Sequence, residues 1–200
     1  MTITPEPPDL TAQRPLLASA SPTRAWKDVR TLVLDGRNEA LALAVEFAEM
    51  AEMAEPSMDM LLALWFQAPS PDGFAERILA PAFVAEGRTS LQLRKRASVT
   101  GLRHLTMLRS LHLDHCKYLT DISELAALEH LSVAFTNLRT LGEPENLPAL
   151  GTLRLYGCPS LTDLGTVMDL PSLKEVIVDD CPALPPTLIS ELRARNLLTG

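Results

Sequence analysis

The pentapeptide His112-Leu113-Asp114-His115-Cys116 gathers residue types that bind metals or move protons. If this stretch is a strand, His112 and Asp114 point to one face, because strand side chains alternate with period two. His130 follows in the next stretch of similar pattern. His112, Asp114 and His130 could then converge as ligands of a metal-dependent hydrolase, since a catalytic zinc takes three protein ligands and keeps an open position. Such a site also needs tight geometry and supporting partners for each ligand, and the sequence identifies none. A Cys116–His112 nucleophile pair is disfavoured if Cys116 lies inside the fold. No phosphate-binding loop, dinucleotide fingerprint, GxSxG or HExxH occurs. The expectation is a protein that is not an enzyme, with no catalytic residues, no metal and no cofactor.

The elements that carry these residues come from a repeat. The segment LRSLHLDHCKYL, 108–119, reads L-x-x-L-x-L-x-x-C-x-x-L. The pattern returns at Leu150, Leu153, Leu155, Cys158, Leu161 and at Leu173, Val176, Val178, Cys181, Leu184. At Leu128, Leu131, Val133 and Leu138 the polar slot holds Thr136. A first copy carries Leu91, Leu93 and Val99, with Arg88 in the first leucine position and Arg96 in the polar slot. The units begin at 88, 108, 128, 150 and 173, so the period is 20 to 23 residues. Two leucines spaced two apart face the same side of a strand, and only stacking against neighbouring units can bury them. Cys116, Cys158 and Cys181 are then buried structural thiols, small hydrophobes with a weak donor. Arg96 is too long and too charged to stack in that slot unpaired, so the turn after Leu93 is expected to be irregular or to turn Arg96 outward.

Residues 88–184 resemble leucine-rich repeat proteins. LGTLRLYGCPSLTDL and LPSLKEVIVDDCPAL are similar to the cysteine-containing repeats of plant immune receptors and bacterial intracellular repeat proteins. The resemblance implies an α/β fold, a curved leucine-rich-repeat solenoid. Its parallel sheet would line the concave face, with helices or turns on the convex face.

Four regions are expected. Residues 1–24 hold five prolines without periodicity and read as a disordered tail. Residues 25–87 read as irregular strand–helix repeats, or else as a separate α/β cap. Val29, Leu32 and Leu34, and then Leu61, Leu64 and Phe66, fit the strand pattern, with helices over 38–54 and 72–80 between and after them; Pro81 is expected to close the second. Residues 88–184 are the regular repeats. Residues 185–200 contain TLISELRARN behind Pro185 and Pro186 and read as a capping helix.

This register leaves three outward columns. They are Thr31, Ala63, Ser90, Ser110, His130, Thr152, Glu175; Val33, Trp65, Gln92, His112, Ser132, Arg154, Ile177; and Asp35, Gln67, Arg94, Asp114, Ala134, Tyr156, Asp179. Trp, Tyr and Arg are enriched at binding hot spots. Trp65, Gln92, Arg94, His112, His130, Arg154 and Tyr156 are therefore the candidate partner-binding residues.

Composition bounds the partner. A net charge of −7 argues against general nucleic-acid binding, which requires neutralised phosphates. The acids are uneven: 29–87 holds ten against three bases, whereas 88–115 holds six bases and only Asp114. That basic band either meets an acidic partner or balances neighbouring acids. No apolar run approaches the roughly 20 residues of a membrane span. Three cysteines do not form a disulfide framework, so a reducing cytoplasm is expected. The functional expectation is a non-catalytic adaptor, scaffold or inhibitor that binds a protein partner on the concave sheet. An exported effector using the tail for delivery is the alternative. The sequence does not fix the oligomeric state.

Overall fold

The computed structural model describes residues 22–35, 37–50, 58–116, 125–141, 147–165 and 167–199. The first 21 residues of the expected tail, and Leu119, lie outside that set. The chain divides into two compact units, 1–82 and 83–200.

The described part of the first unit is helical, which corrects the expected strands. Helix α1 spans Pro22–Asp35. Among its described side chains, Val29, Leu32 and Val33 are buried, spaced as one stripe of a 3.6-residue period. Leu34, expected inward, is 39% exposed, and Val33, expected outward, is 2% exposed. The Val29–Leu32 spacing of three suits a helix as well as the repeat, and Val33 completes the helical face. Helix α2, Asn38–Met50, packs on α1 through the first unit's core, with Ala40, Leu41, Leu43 and Ala44 buried. Residues 51–54, included in the expected helix, lie outside the described residues.

Helix α3 spans Met58–Trp65, where the second strand was expected. Met58, Leu61, Leu64 and Trp65 are buried. A helical run follows without a break: α4 over Pro71–Phe74, a π-helical turn over Ala75–Leu79, and α5 over Ala80–Ala85. Pro71 sits at the start of α4, where its missing N–H costs nothing. Pro81 was expected to end this helix but lies inside α5. A proline ring clashes with the carbonyl one α-turn upstream. The π turn widens the backbone at that point, and the helix passes through.

The second unit is a solenoid-like α/β arrangement with a five-stranded parallel sheet. Strands β1 Ser90–Arg94, β2 Ser110–Asp114, β3 His130–Ala134, β4 Thr152–Tyr156 and β5 Glu175–Asp179 lie in sequence order. The register pairs Leu91, Leu111, Leu131, Leu153 and Val176 across the sheet, and likewise Leu93, Leu113, Val133, Leu155 and Val178. The inward members are buried in β1 to β4; Val178, in the edge strand, is half-buried. The expected outward columns of these five strands are reproduced residue for residue.

Between strands the chain returns through tight turns. Leu105 N–H bonds Leu102 O and Leu108 N–H bonds Leu105 O, each at 3.0 Å. Later units repeat this bond from Leu128 to Leu125, Leu150 to Leu147 and Leu170 to Val167. Such i to i+3 bonding eclipses every third side chain, which is why 102, 105 and 108 are leucines buried on one side.

Each strand ends in one left-handed residue: Lys95, His115, Phe135, Gly157 and Asp180, with φ between 51° and 60°. The positive φ turns the chain out of the strand direction at that residue. The N–H of 95, 115, 135 and 157 still donates to the last carbonyl of the next strand, at 2.8 to 3.0 Å. The next residue fills the slot. Cys116 Sγ lies 3.8 Å from both Leu93 O and Asp114 O, and Cys158 Sγ lies 3.5 Å from Tyr156 O and 3.8 Å from Val133 O, so each thiol sits between carbonyls of its own and the preceding unit. Thr136 Oγ1 lies 3.7 Å from Cys158 Sγ. All three cysteines are free and buried, and burial pushes the Cys116 and Cys181 thiols above their ordinary range. Arg96, in the first slot, is half-buried.

Helix α6, Pro186–Ala194, follows β5 as expected. The chain then returns to the edge of β5. Val176 N–H bonds Leu197 O at 2.7 Å and Thr199 N–H bonds Val176 O at 3.0 Å. Part of the β5 edge is thereby paired.

Candidate functional site

The outward face of the sheet brings together four of the seven candidate residues around two features. The first is an open depression of about 170 Å³ across β2, β3 and β4. Its walls are Ser110, His112, His130, Ser132, Thr152 and Arg154, over Leu131. The parallel register places Ser132 between His112 and Arg154 in one row, and His130 between Ser110 and Thr152 in the next. Ser110 Oγ and His112 Nε2 share a hydrogen bond at 3.2 Å. The walls therefore hold one arginine, two imidazoles and three hydroxyls, and no carboxylate.

The second feature is an aromatic step at the carboxyl ends of β2, β3 and β4. Tyr156 ends β4 and is 44% exposed; Phe135 is 46% exposed. Their rings meet edge-to-face with centroids 4.9 Å apart, and His115 lies 4.9 Å from the other side of Phe135. The left-handed backbone at 115 and 135 turns these side chains out of the stack. Gly157 occupies the same place in the next unit, and a Cβ there would sit 2.7 Å from the Phe135 ring. The ring thus lies over bare backbone. Strand alternation does not flag Phe135, which sits one position past β3. The signal in the sequence is Phe-Thr at 135–136 aligned with Gly-Cys at 157–158.

The other candidates are placed differently. Gln92 is exposed on β1, beside His112 in register. Arg94 is exposed, with Nε 2.9 Å from Asp114 Oδ2, while Asp114 Oδ1 lies 2.5 Å from His115 Nδ1. Asp114 is therefore committed to Arg94 and His115 and does not converge with His112 and His130. Among the described residues no group of three His, Cys, Asp or Glu is arranged to hold a metal ion. Trp65 requires a correction. It belongs to α3 in the first unit, is 0% exposed, and donates its indole N–H to Pro71 O at 3.0 Å. It packs a helical core and is not a residue of the sheet face.

Three of the six bases in the basic band pair with nearby acids. Arg88 pairs with Glu86, Arg94 with Asp114, and Arg109 with Glu129. Arg88 also lies over the Phe83 ring. Arg154 differs: among the described residues it forms no ion pair or hydrogen bond. No helix among the described residues is long and apolar enough to cross a membrane. No family model, curated protein or solved structure matches the chain.

Proposed function

We propose that residues 88–184 are a leucine-rich-repeat solenoid whose outward sheet face binds a partner protein without catalysis, in the cytoplasm. The observation that carries this reading is the exposed pair Phe135 and Tyr156 beside Arg154 on five in-register strands. Large aromatics left in water are uncommon and mark contact surfaces when clustered. Tyr, Phe and Arg are also enriched in interface cores. A rigid sheet presents them with little ordering cost on binding. The second row of polar walls supplies hydrogen bonds around that anchor. Gln92, His112 and His130 extend the surface across β1 to β3.

The test is a pull-down from native lysate with the full chain beside an Arg154→Glu/Tyr156→Ala variant of unchanged unfolding midpoint. A protein retained by the wild type and lost by the variant supports the reading, and its identity gives the pathway. Equal retention by both moves the binding surface elsewhere on the chain and overturns the sheet-face assignment.

A further inference from the structure

We infer that the depression at Arg154 receives the phosphate of a phosphorylated serine or threonine carried on an extended segment of the partner, which rests on the protein-binding reading above. Three observations carry this. First, the depression has a positive group and no negative one. Its walls hold Arg154, His112, His130, Ser110, Ser132 and Thr152, in a chain whose net charge is −7. Second, the nearby arginines are neutralised, Arg94 by Asp114 and Arg109 by Glu129, whereas Arg154 forms no ion pair among the described residues. A guanidinium without an acid, ringed by hydroxyl and imidazole groups, suits a planar or tetrahedral oxyanion, which it can engage with two parallel N–H bonds. Third, Arg154 in the wall of the depression stands two residues before Tyr156 on β4, and Tyr156 is half of the exposed Tyr156–Phe135 step.

The third observation selects the source of the anion. A free phosphate would use the polar walls alone and leave the aromatic step without a role. Nucleic acid requires several neutralised phosphates, and the uncompensated charge here is a single arginine. A phosphoserine or phosphothreonine in a peptide supplies one dianion on a short stem. Arg154 and Tyr156 stand two residues apart on β4, roughly 6.6 Å along a strand. An extended peptide has the same spacing between residues i and i+2. The segment recognised is therefore a phosphorylated residue with an apolar residue two positions away, lying along β4 with the apolar side chain against Tyr156 and Phe135.

The full chain is immobilised and offered two degenerate peptide libraries that differ only in a central phosphoserine or serine. Preferential retention of the phosphorylated library, by roughly tenfold or more, is expected. So are competition by inorganic phosphate and enrichment of aromatic or aliphatic residues two positions from the phosphoserine. Arg154→Gln removes the preference, Arg154→Lys keeps part of it, and Tyr156→Ala removes only the apolar enrichment. Unchanged unfolding midpoints establish that each variant is folded. Equal retention of the two libraries overturns the inference, as does a phosphate preference that survives Arg154→Gln. Unphosphorylated peptides retained by the wild type and lost with Tyr156→Ala would leave the protein-binding face standing and remove the phosphate from it. No retention of either library overturns the phosphate inference and leaves the pull-down to decide the broader reading.

Discussion

Gly157→Ala probes the left-handed corner and the aromatic step together. At φ +60° an alanine pays for a conformation in which its Cβ crowds the following carbonyl oxygen, about 1–2 kcal/mol. Four other units carry Lys95, His115, Phe135 and Asp180 at this corner, so a side chain there is compatible with the fold. The specific obstacle at 157 is the Phe135 ring, 2.7 and 2.9 Å from the new Cβ at its two nearest atoms. That ring is half in solvent and can swing away, but it then loses its contacts with Tyr156 and His115, about 0.5–1.5 kcal/mol. The single substitution should cost about 2–3 kcal/mol. In a Phe135→Ala background the ring is gone, and the same substitution should cost only the backbone share, about 1–2 kcal/mol. Urea denaturation of the four proteins in this double-mutant cycle gives a coupling of about 1 kcal/mol. Additivity within about 0.3 kcal/mol would refute the ring's part in selecting glycine.

Leu153→Ala deletes a side chain that is 0% exposed at the centre of β4 and should cost about 2–5 kcal/mol, whereas Arg154→Glu beside it should change stability by less than about 0.5 kcal/mol; chemical denaturation of both measures the contrast that the register demands. Trp65→Phe removes the indole N–H donor to Pro71 O and should cost about 1–3 kcal/mol through the stranded carbonyl and lost volume, with no effect on partner retention; a variant that is fully stable but fails to bind would return Trp65 to the site. The buried thiols make stability fall at alkaline pH. Their raised native values mean that the unfolded chain ionises first, from about pH 8.5, so stability is full below that pH and declines as pH climbs through the native values. Unfolding midpoints between pH 7 and pH 10 for wild type and Cys116→Ala/Cys181→Ala should diverge in slope, with the wild type the steeper.

The repeats were legible because several constraints coincide in each unit. Leu111, Leu113 and Cys116 recur as Leu153, Leu155 and Cys158 at near-constant period, and no helix satisfies those spacings five times over. The register of the outward columns followed, since a slip of one residue would bury Arg154 and expose Leu153. The first unit misled for the same physical reason. Val29-x-x-Leu32 is one helical turn as well as one repeat fragment, and the segment has no cysteine slot or return-path leucines to break the tie. In 58–66 the run Met-Asp-Met-Leu-Leu-Ala-Leu-Trp-Phe is apolar nearly throughout, so periodicity cannot separate a strand from a buried helix. That ambiguity is what moved Trp65 from the sheet face to a helical core. Pro81 reads as a stop in the sequence because the π turn upstream leaves no compositional mark. Phe135 escaped notice because its exposure depends on a positive φ that is uncommon in a bulky residue.

The claim that the outward sheet face is the binding surface is tested most directly by site-specific photocrosslinking. A photoreactive phenylalanine analogue replaces either Ser132, in the wall of the depression, or Thr162, exposed on the return path after β4. Each protein is irradiated in native lysate, and the adducts are resolved by mass. The sheet-face reading predicts a discrete adduct from position 132 that disappears with Arg154→Glu, and none from position 162. An adduct from position 162 with position 132 silent would contradict it and transfer the interface to the other side of the repeats.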